Sequence, residues 1–253
     1  MLGFAALTEA NPIDEVGLVS GDRILSLDLE MFGRRRSNPL TNAFLSFHSE
    51  VRTKIHFALM AGSITAITFS DSVFFATKRV DVALRFASEL TFSLLSQGVP
   101  IRTGIALGSF ATLRFRSDVQ KDGGDHASQV LGTAVARACR AESCGVKGIR
   151  VLIHPSMEPL IQSPWLMMEL AESERANKSS VRYELNYWDL KASKERAAWQ
   201  KLQELWSSAP ELAKVHYEAA ANAIDRMRAQ KGELPVTNLT QRTPPRRRGR
   251  EFA

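Results

Sequence analysis

Apolar positions along this chain switch between a helical and a strand-like period. After Asn38-Pro39, residues Phe44, Phe47, Val51, Ile55 and Ala58 recur every three or four positions. That stripe predicts a helix opening at the proline and ending at Gly62. Two β-forming runs follow, Ile64 to Phe69 and Val73 to Thr77, separated by Ser70-Asp71-Ser72. They predict a hairpin with Asp71 at its tip. A second amphipathic helix is predicted from about Val80 to Ser96, with Leu84, Ala87, Leu90 and Leu94 inward, stopping at Gly98-Val99-Pro100.

Ile101 to Phe110 reads as a buried strand, in which Gly104 and Gly108 remove side chains where another backbone or a phosphate must approach. A polar, glycine-rich loop is expected over 118–127, then a helix from about Ser128 to Ser143. Gly148 to His154 predicts a strand stopped by Pro155, and Val181 to Tyr187 a late strand leading to Trp188. From Lys194 to Lys231 the pattern is helical again, with Pro210 near the start of a second helix and Leu212, Val215, Ala219 and Ala223 as its stripe. The order predicts an α+β sandwich of helices on one mainly antiparallel sheet over residues 1–190. A C-terminal helical hairpin over 194–231 is expected to pack on that core or on a partner subunit. No internal repeat stands out.

Composition narrows the function classes. The 253 residues are 44% hydrophobic and 24% charged, enough for one large domain or a domain of roughly 150–200 residues with an appendage. No apolar run approaches the roughly 20 residues of a membrane span, and Met1 to Glu9 lacks the basic and apolar regions of a signal peptide. Cys139 and Cys144 have no His or Cys companions at zinc spacing and read as free thiols of a cytoplasmic protein. The net charge of +6 is concentrated in Arg34-Arg35-Arg36 and in Arg246 to Arg250. The second run lies in a stretch, 235–253, that reads as a basic disordered tail. Without interleaved aromatics it predicts no specific nucleic-acid site. His48 and His56 lie two turns apart on one helix without a carboxylate pattern, so no metal site is expected there.

Asp71, a bare carboxylate held by a rigid hairpin, suits either a solvated turn or a hard divalent cation. Three segments bear on that choice: the Phe69-Ser70-Asp71-Ser72 turn, the Arg102-Thr103-Gly104-Ile105-Ala106-Leu107-Gly108 strand, and the Leu131-Gly132-Thr133-Ala134-Val135-Ala136-Arg137-Ala138-Cys139-Arg140-Ala141-Glu142 helix. Together, in this order, they resemble class III nucleotidyl cyclases. Gly132 to Val135 and Tyr183 to Tyr187 also look like the Pycsar pyrimidine cyclases of bacterial antiphage defence. The resemblance implies a homodimer with sites at its interface, two Mn2+ or Mg2+ ions per site, and cyclisation of a nucleoside triphosphate. A separate effector would respond to the cyclic nucleotide.

Residue by residue, the resemblance makes Asp71 a metal ligand and Arg140 the charge that stabilises the reacting phosphate, with Arg137 one turn away competing for the role. Phe4 would lie beside the nucleotide, Ile67 and Thr133 would border the base, and the amides around Leu2 and Gly3 would face phosphates. Where purine cyclases carry polar base-reading groups, this chain has Ile67 and Thr133, which cannot make the same hydrogen bonds to a purine edge; a site lacking such partners rejects that base. The resemblance implies a pyrimidine substrate, UTP first and CTP as the alternative. Ala136 stands where the family has an asparagine. The family's first metal aspartate is expected one position before Met1, with Asp28 as the alternative. A catalytically silent nucleotide-binding domain is the reading of a different class.

Overall fold

Two helices and a hairpin build the first half of the fold. The computed structural model describes residues 4–5, 7–8, 39–61, 64–68, 72–116, 125–162, 166–175, 180–188 and 192–232. Helix α1, Pro39–Ala61, has proline at its first position, where the missing N–H costs nothing. Strands β3, Ile64–Thr68, and β4, Val73–Thr77, pair antiparallel with Ile67 opposite Phe74. They follow two short strands, β1 (Phe4–Ala5) and β2 (Leu7–Thr8). Helix α2, Val80–Ser96, completes this layer, and all four of its expected inward residues are buried. Phe47 and Val51 of α1 meet Val73 and Phe75 of β4 and Phe86 of α2 in one cluster. The Phe75 and Phe86 rings stack at 3.8 Å between centroids.

The second half is built on short strands. They are β5 (Thr103–Ile105), β6 (Leu107–Gly108), β7 (Ala111–Arg116), β8 (Asp125–Leu131), β9 (Val151–Ile153), β10 (Met167–Glu169) and β11 (Tyr183–Leu185). Among the described residues the strands form sheets ordered β1-β4-β3 and β10-β11-β9-β5, with separate β2-β6 and β7-β8 pairs. β1–β4, β2–β6 and β5–β9 are parallel, and the other four pairings are antiparallel. The fold is thus α+β, as expected, but its described strands form several small sheets, some of them mixed, rather than one.

Two further expectations are corrected. Residues 125–131 are a strand paired with β7, so helix α3 spans only Thr133–Glu142. Gly132, at φ +127°, turns the chain between strand and helix, a conformation other residues rarely adopt. Phe4 belongs to β1, parallel to β4 and opposite Phe74. Leu212 is 92% exposed and Val215 is also exposed; the inward face of the last helix is Ala220, Ala223, Ile224 and Met227.

That last pair of helices, α4 (Ala192–Ser208) and α5 (Glu211–Gln230), breaks at Pro210 as the sequence predicts. Trp199 and Leu202 of α4 and Ile224 and Met227 of α5 join the cluster around Ile105, Ile153 and Leu185. The hairpin therefore packs on this chain's own core. Asn186 Nδ2 donates to the Met227 carbonyl at 3.1 Å, and the Trp188 indole donates to Glu195 at 3.1 Å. Beneath α5, Arg150 and Glu184 are fully buried and meet at 2.5 Å, with Glu174 and Arg226 completing the ion network. Burial pushes the Glu184 carboxyl up, and the two guanidiniums oppose that shift. Among the described residues no helix is long and apolar enough to cross a membrane.

Candidate functional site

Glycines let α3 sit directly on a strand. A Cβ at Gly104 would fall 2.0 Å from the Ala138 carbonyl oxygen and 2.9 Å from the Glu142 nitrogen. At Gly108 it would fall 2.6 Å from the Ala134 nitrogen. On the helix side the contact is made by alanines: Ala134, Ala138 and Ala141 are fully buried. The glycine strand predicted from sequence is a seat for a helix backbone. Its first residue, Arg102, clamps the far end, donating to Glu142 at 2.8 Å and to the Val146 carbonyl at 2.8 Å.

The near end is locked by Ser109 and Thr133. The Ser109 amide donates to Thr133 Oγ1 at 2.9 Å, and the Thr133 amide donates to Ser109 Oγ at 3.1 Å. The Ala134 amide donates to the Ser109 carbonyl at 3.0 Å. Helix N-terminal amides are otherwise free to receive an anion; here two of them are spent on one serine. Thr133 is exposed, with its hydroxyl also 3.2 Å from Ser109 Oγ.

Seating α3 in this way fixes the two arginines. Arg137 Nη1 donates to the Leu107 carbonyl at 2.7 Å, while Arg140, one turn on, is exposed. Ala136, also exposed, lies between Thr133 and Arg137 in sequence. The structure thus brings Thr133, Arg137 and Arg140 together on one short helix. Ile67 is half-buried on edge strand β3 of the β1-β4-β3 sheet. Phe4 lies on β1, whose backbone is described and whose side chain is not.

Asp71 and Asp28, the carboxylates expected at a metal, lie outside the described residues, as do Leu2, Gly3 and both arginine runs. Among the described residues no three or more His, Cys, Asp or Glu side chains gather as a metal-holding group. Cys139 and Cys144 are free, and burial raises the Cys139 thiol's pKa.

Two residues at this place were not singled out from sequence. His154 and Ser156 follow β9, and the Leu107 amide donates to Ser156 Oγ at 3.0 Å. Burial, then the charges of Arg137 and Arg140, hold the His154 imidazole below its ordinary value. The sequence signal was a histidine directly after a buried apolar run, which reads equally as the end of a strand.

Compared with protein-family models, with curated proteins and with solved structures, the chain matches none.

Proposed function

We propose that this chain is a pyrimidine nucleotide cyclase of the class III type. It would convert UTP into 3′,5′-cyclic UMP and pyrophosphate, with CTP as the alternative substrate. The 3′-hydroxyl oxygen attacks the α-phosphorus, the bond to the β-phosphate bridging oxygen breaks, and the hydroxyl proton is released. The observation that carries the reading is the backbone seat of α3 on Gly104 and Gly108, which holds Arg137 and Arg140 one turn apart beside a short exposed hydroxyl, Thr133. Cationic groups fixed in advance suit charge developing on a transferred phosphate.

In this reading Arg140 faces the reacting phosphate, and Arg137, tethered to Leu107, supports it. Thr133 and Ile67 border the base and fail a purine edge. The resemblance to class III cyclases implies a site between two copies of the chain. Manganese or magnesium ions held by Asp71 and a second aspartate would neutralise the phosphates. The setting is cytoplasmic antiphage signalling through a separate effector. Ala136, exposed on the same helix, favours one second reading, a nucleotide-binding domain without turnover.

The test is a product assay. The protein is incubated with ATP, GTP, CTP and UTP plus manganese, and products are identified by mass. Cyclic UMP that disappears in Asp71→Ala and in Arg140→Ala supports the proposal. Cyclic AMP overturns the base argument. Nucleotide binding without any cyclic product moves the reading to the silent domain.

A further inference from the structure

Ser109 and Thr133 hold each other through both backbone and side chain. Gly108 lets them meet: a Cβ there would fall 2.4 Å from Thr133 Oγ1, so the strand passes this close only without one. Thr133 Oγ1 accepts the Ser109 amide at 2.9 Å, and Ser109 Oγ accepts the Thr133 amide at 3.1 Å. The two hydroxyl oxygens lie 3.2 Å apart, and either can donate to the other. Both residues are exposed, so a ligand can reach the pair.

A hydroxyl carries one proton and two lone pairs. When Ser109 donates to Thr133, both lone pairs of Thr133 Oγ1 are taken, and its own proton is left for an outside acceptor. When Thr133 donates to Ser109, one lone pair of Thr133 Oγ1 is left for an outside donor. Both arrangements keep the two amide bonds and the bond between the hydroxyls. Thr133 therefore turns from donor to acceptor without giving up a hydrogen bond to the protein. The two pyrimidine bases differ in this respect at ring position 4, where uracil, like thymine, has a carbonyl and cytosine an amino group.

We propose that Ser109 and Thr133 form a reversible hydroxyl pair that fits either pyrimidine, so that this chain takes UTP and CTP alike. The proposal deepens the cyclase reading and rests on its assignment of Thr133 to the base. Thr133 meets ring position 4, and Ser109 is a positioning residue that acts through Thr133. Removing the Ser109 hydroxyl breaks the symmetry. Thr133 can still donate to a uracil carbonyl, but when it accepts from a cytosine amino group its own proton has lost its partner. An unmet donor costs more than an unmet lone pair, so cytosine suffers.

The experiment is titration calorimetry of UTP and of CTP, with manganese, on the full chain and its variants. The parent chain is expected to bind the two within about fivefold of each other, the worth of one hydrogen bond. In Ser109→Ala, CTP should weaken at least about fivefold more than UTP, the low end of the cost of an unmet donor. The amide of Thr133 also loses its partner there, but that loss is common to both nucleotides and cancels in the ratio. Thr133→Ser keeps the hydroxyl and should leave the two affinities matched. A parent preference beyond about fivefold, or a ratio unmoved in Ser109→Ala, would overturn the proposal. Should Ser109→Ala not fold, the parent affinities decide it. Matched affinities that split in Ser109→Ala, without cyclic product from either nucleotide, would keep the hydroxyl pair and remove the cyclase reading. Cyclic product from a chain whose ratio does not move would do the reverse. Binding of neither nucleotide would overturn both.

Discussion

Gly104→Ala probes the seat of α3 directly. The added methyl carbon would lie 2.0 Å from the Ala138 carbonyl oxygen, whereas real Cβ atoms essentially never approach within 3.0 Å. The obstacle is helix backbone, so no rotamer change relieves it, and α3 must withdraw by at least about 1 Å, the gap between those distances. That movement unseats Ala134, Ala138 and Ala141, all fully buried. Overpacking of this kind costs about 1–3 kcal/mol, and rigid backbone on the far side favours the upper end. For a chain of this size each kcal/mol lowers Tm by about 2–4 °C, so a fall of about 6–12 °C is expected. On the proposed reading, cyclic-nucleotide formation should fall further than stability alone explains, because a displacement of about 1 Å in a positioned group costs about a hundredfold. Gly145→Ala is the control: its Cβ meets nothing within 4 Å, and its φ of +90° leaves only local backbone strain. Thermal unfolding of both variants checks the argument. If Gly104→Ala melts within 2 °C of the parent chain, α3 does not sit on β5 and the seat is refuted.

Three other outcomes are expected. Arg150→Met leaves the fully buried Glu184 carboxylate with Arg226 as its remaining partner and should cost about 3–5 kcal/mol, read from urea midpoints. Adding Glu184→Leu should recover most of that loss, since an apolar replacement of both ions removes their desolvation penalty; a double variant as weak as the single one would refute this. Tyr187→Phe removes a buried hydroxyl that donates to the Ile149 carbonyl at 2.9 Å, and should cost about 1–3 kcal/mol with the fold intact by circular dichroism. Finally, burial and nearby cations hold His154 and His216 below 6.5. The unfolded chain therefore binds more protons between their folded values and 6.5. Their stabilising contribution is complete above 6.5 and falls as pH drops through that window. The urea midpoint should drop more from pH 7.5 to 5.5 in the parent chain than in His154→Gln/His216→Gln; equal drops would contradict the assignment.

The long periodic segments were legible because their burial is one-sided. The spacing of Leu84, Ala87, Leu90 and Leu94 has a single helical solution, and α2 adopts it. The β7–β8 hairpin was missed because Asp125 to Gln129 carries little apolar character, so no period-two signal separated it from a loop. The last helix misled for a different reason. Leu212 and Val215 continue the stripe numerically, yet both are exposed, and α5 meets the core through Tyr217, Ala220, Ala223, Ile224 and Met227. Small residues mark the contact there, as in α3, and small residues give a weak apolar pattern. The glycines of Arg102 to Gly108 were read as a close approach, which they are; sequence alone left open whether backbone or phosphate approached.

That distinction decides how a phosphate could be recognised here. Helix N-termini bind anions through unpaired amides. At α3 the amides of Thr133 and Ala134 already serve Ser109, and Gly108 is filled by the helix itself, so the glycine-rich strand offers no open backbone cradle on this face. On the proposed reading, recognition is left to side chains, which on α3 are Arg137 and Arg140. Side-chain cations bind by charge and are weakened by salt, whereas a backbone cradle is far less so. Polyphosphate affinity should therefore fall steeply between 50 and 500 mM salt, as measured by titration calorimetry. An affinity unchanged across that range would mean that backbone amides, not these two side chains, hold the anion.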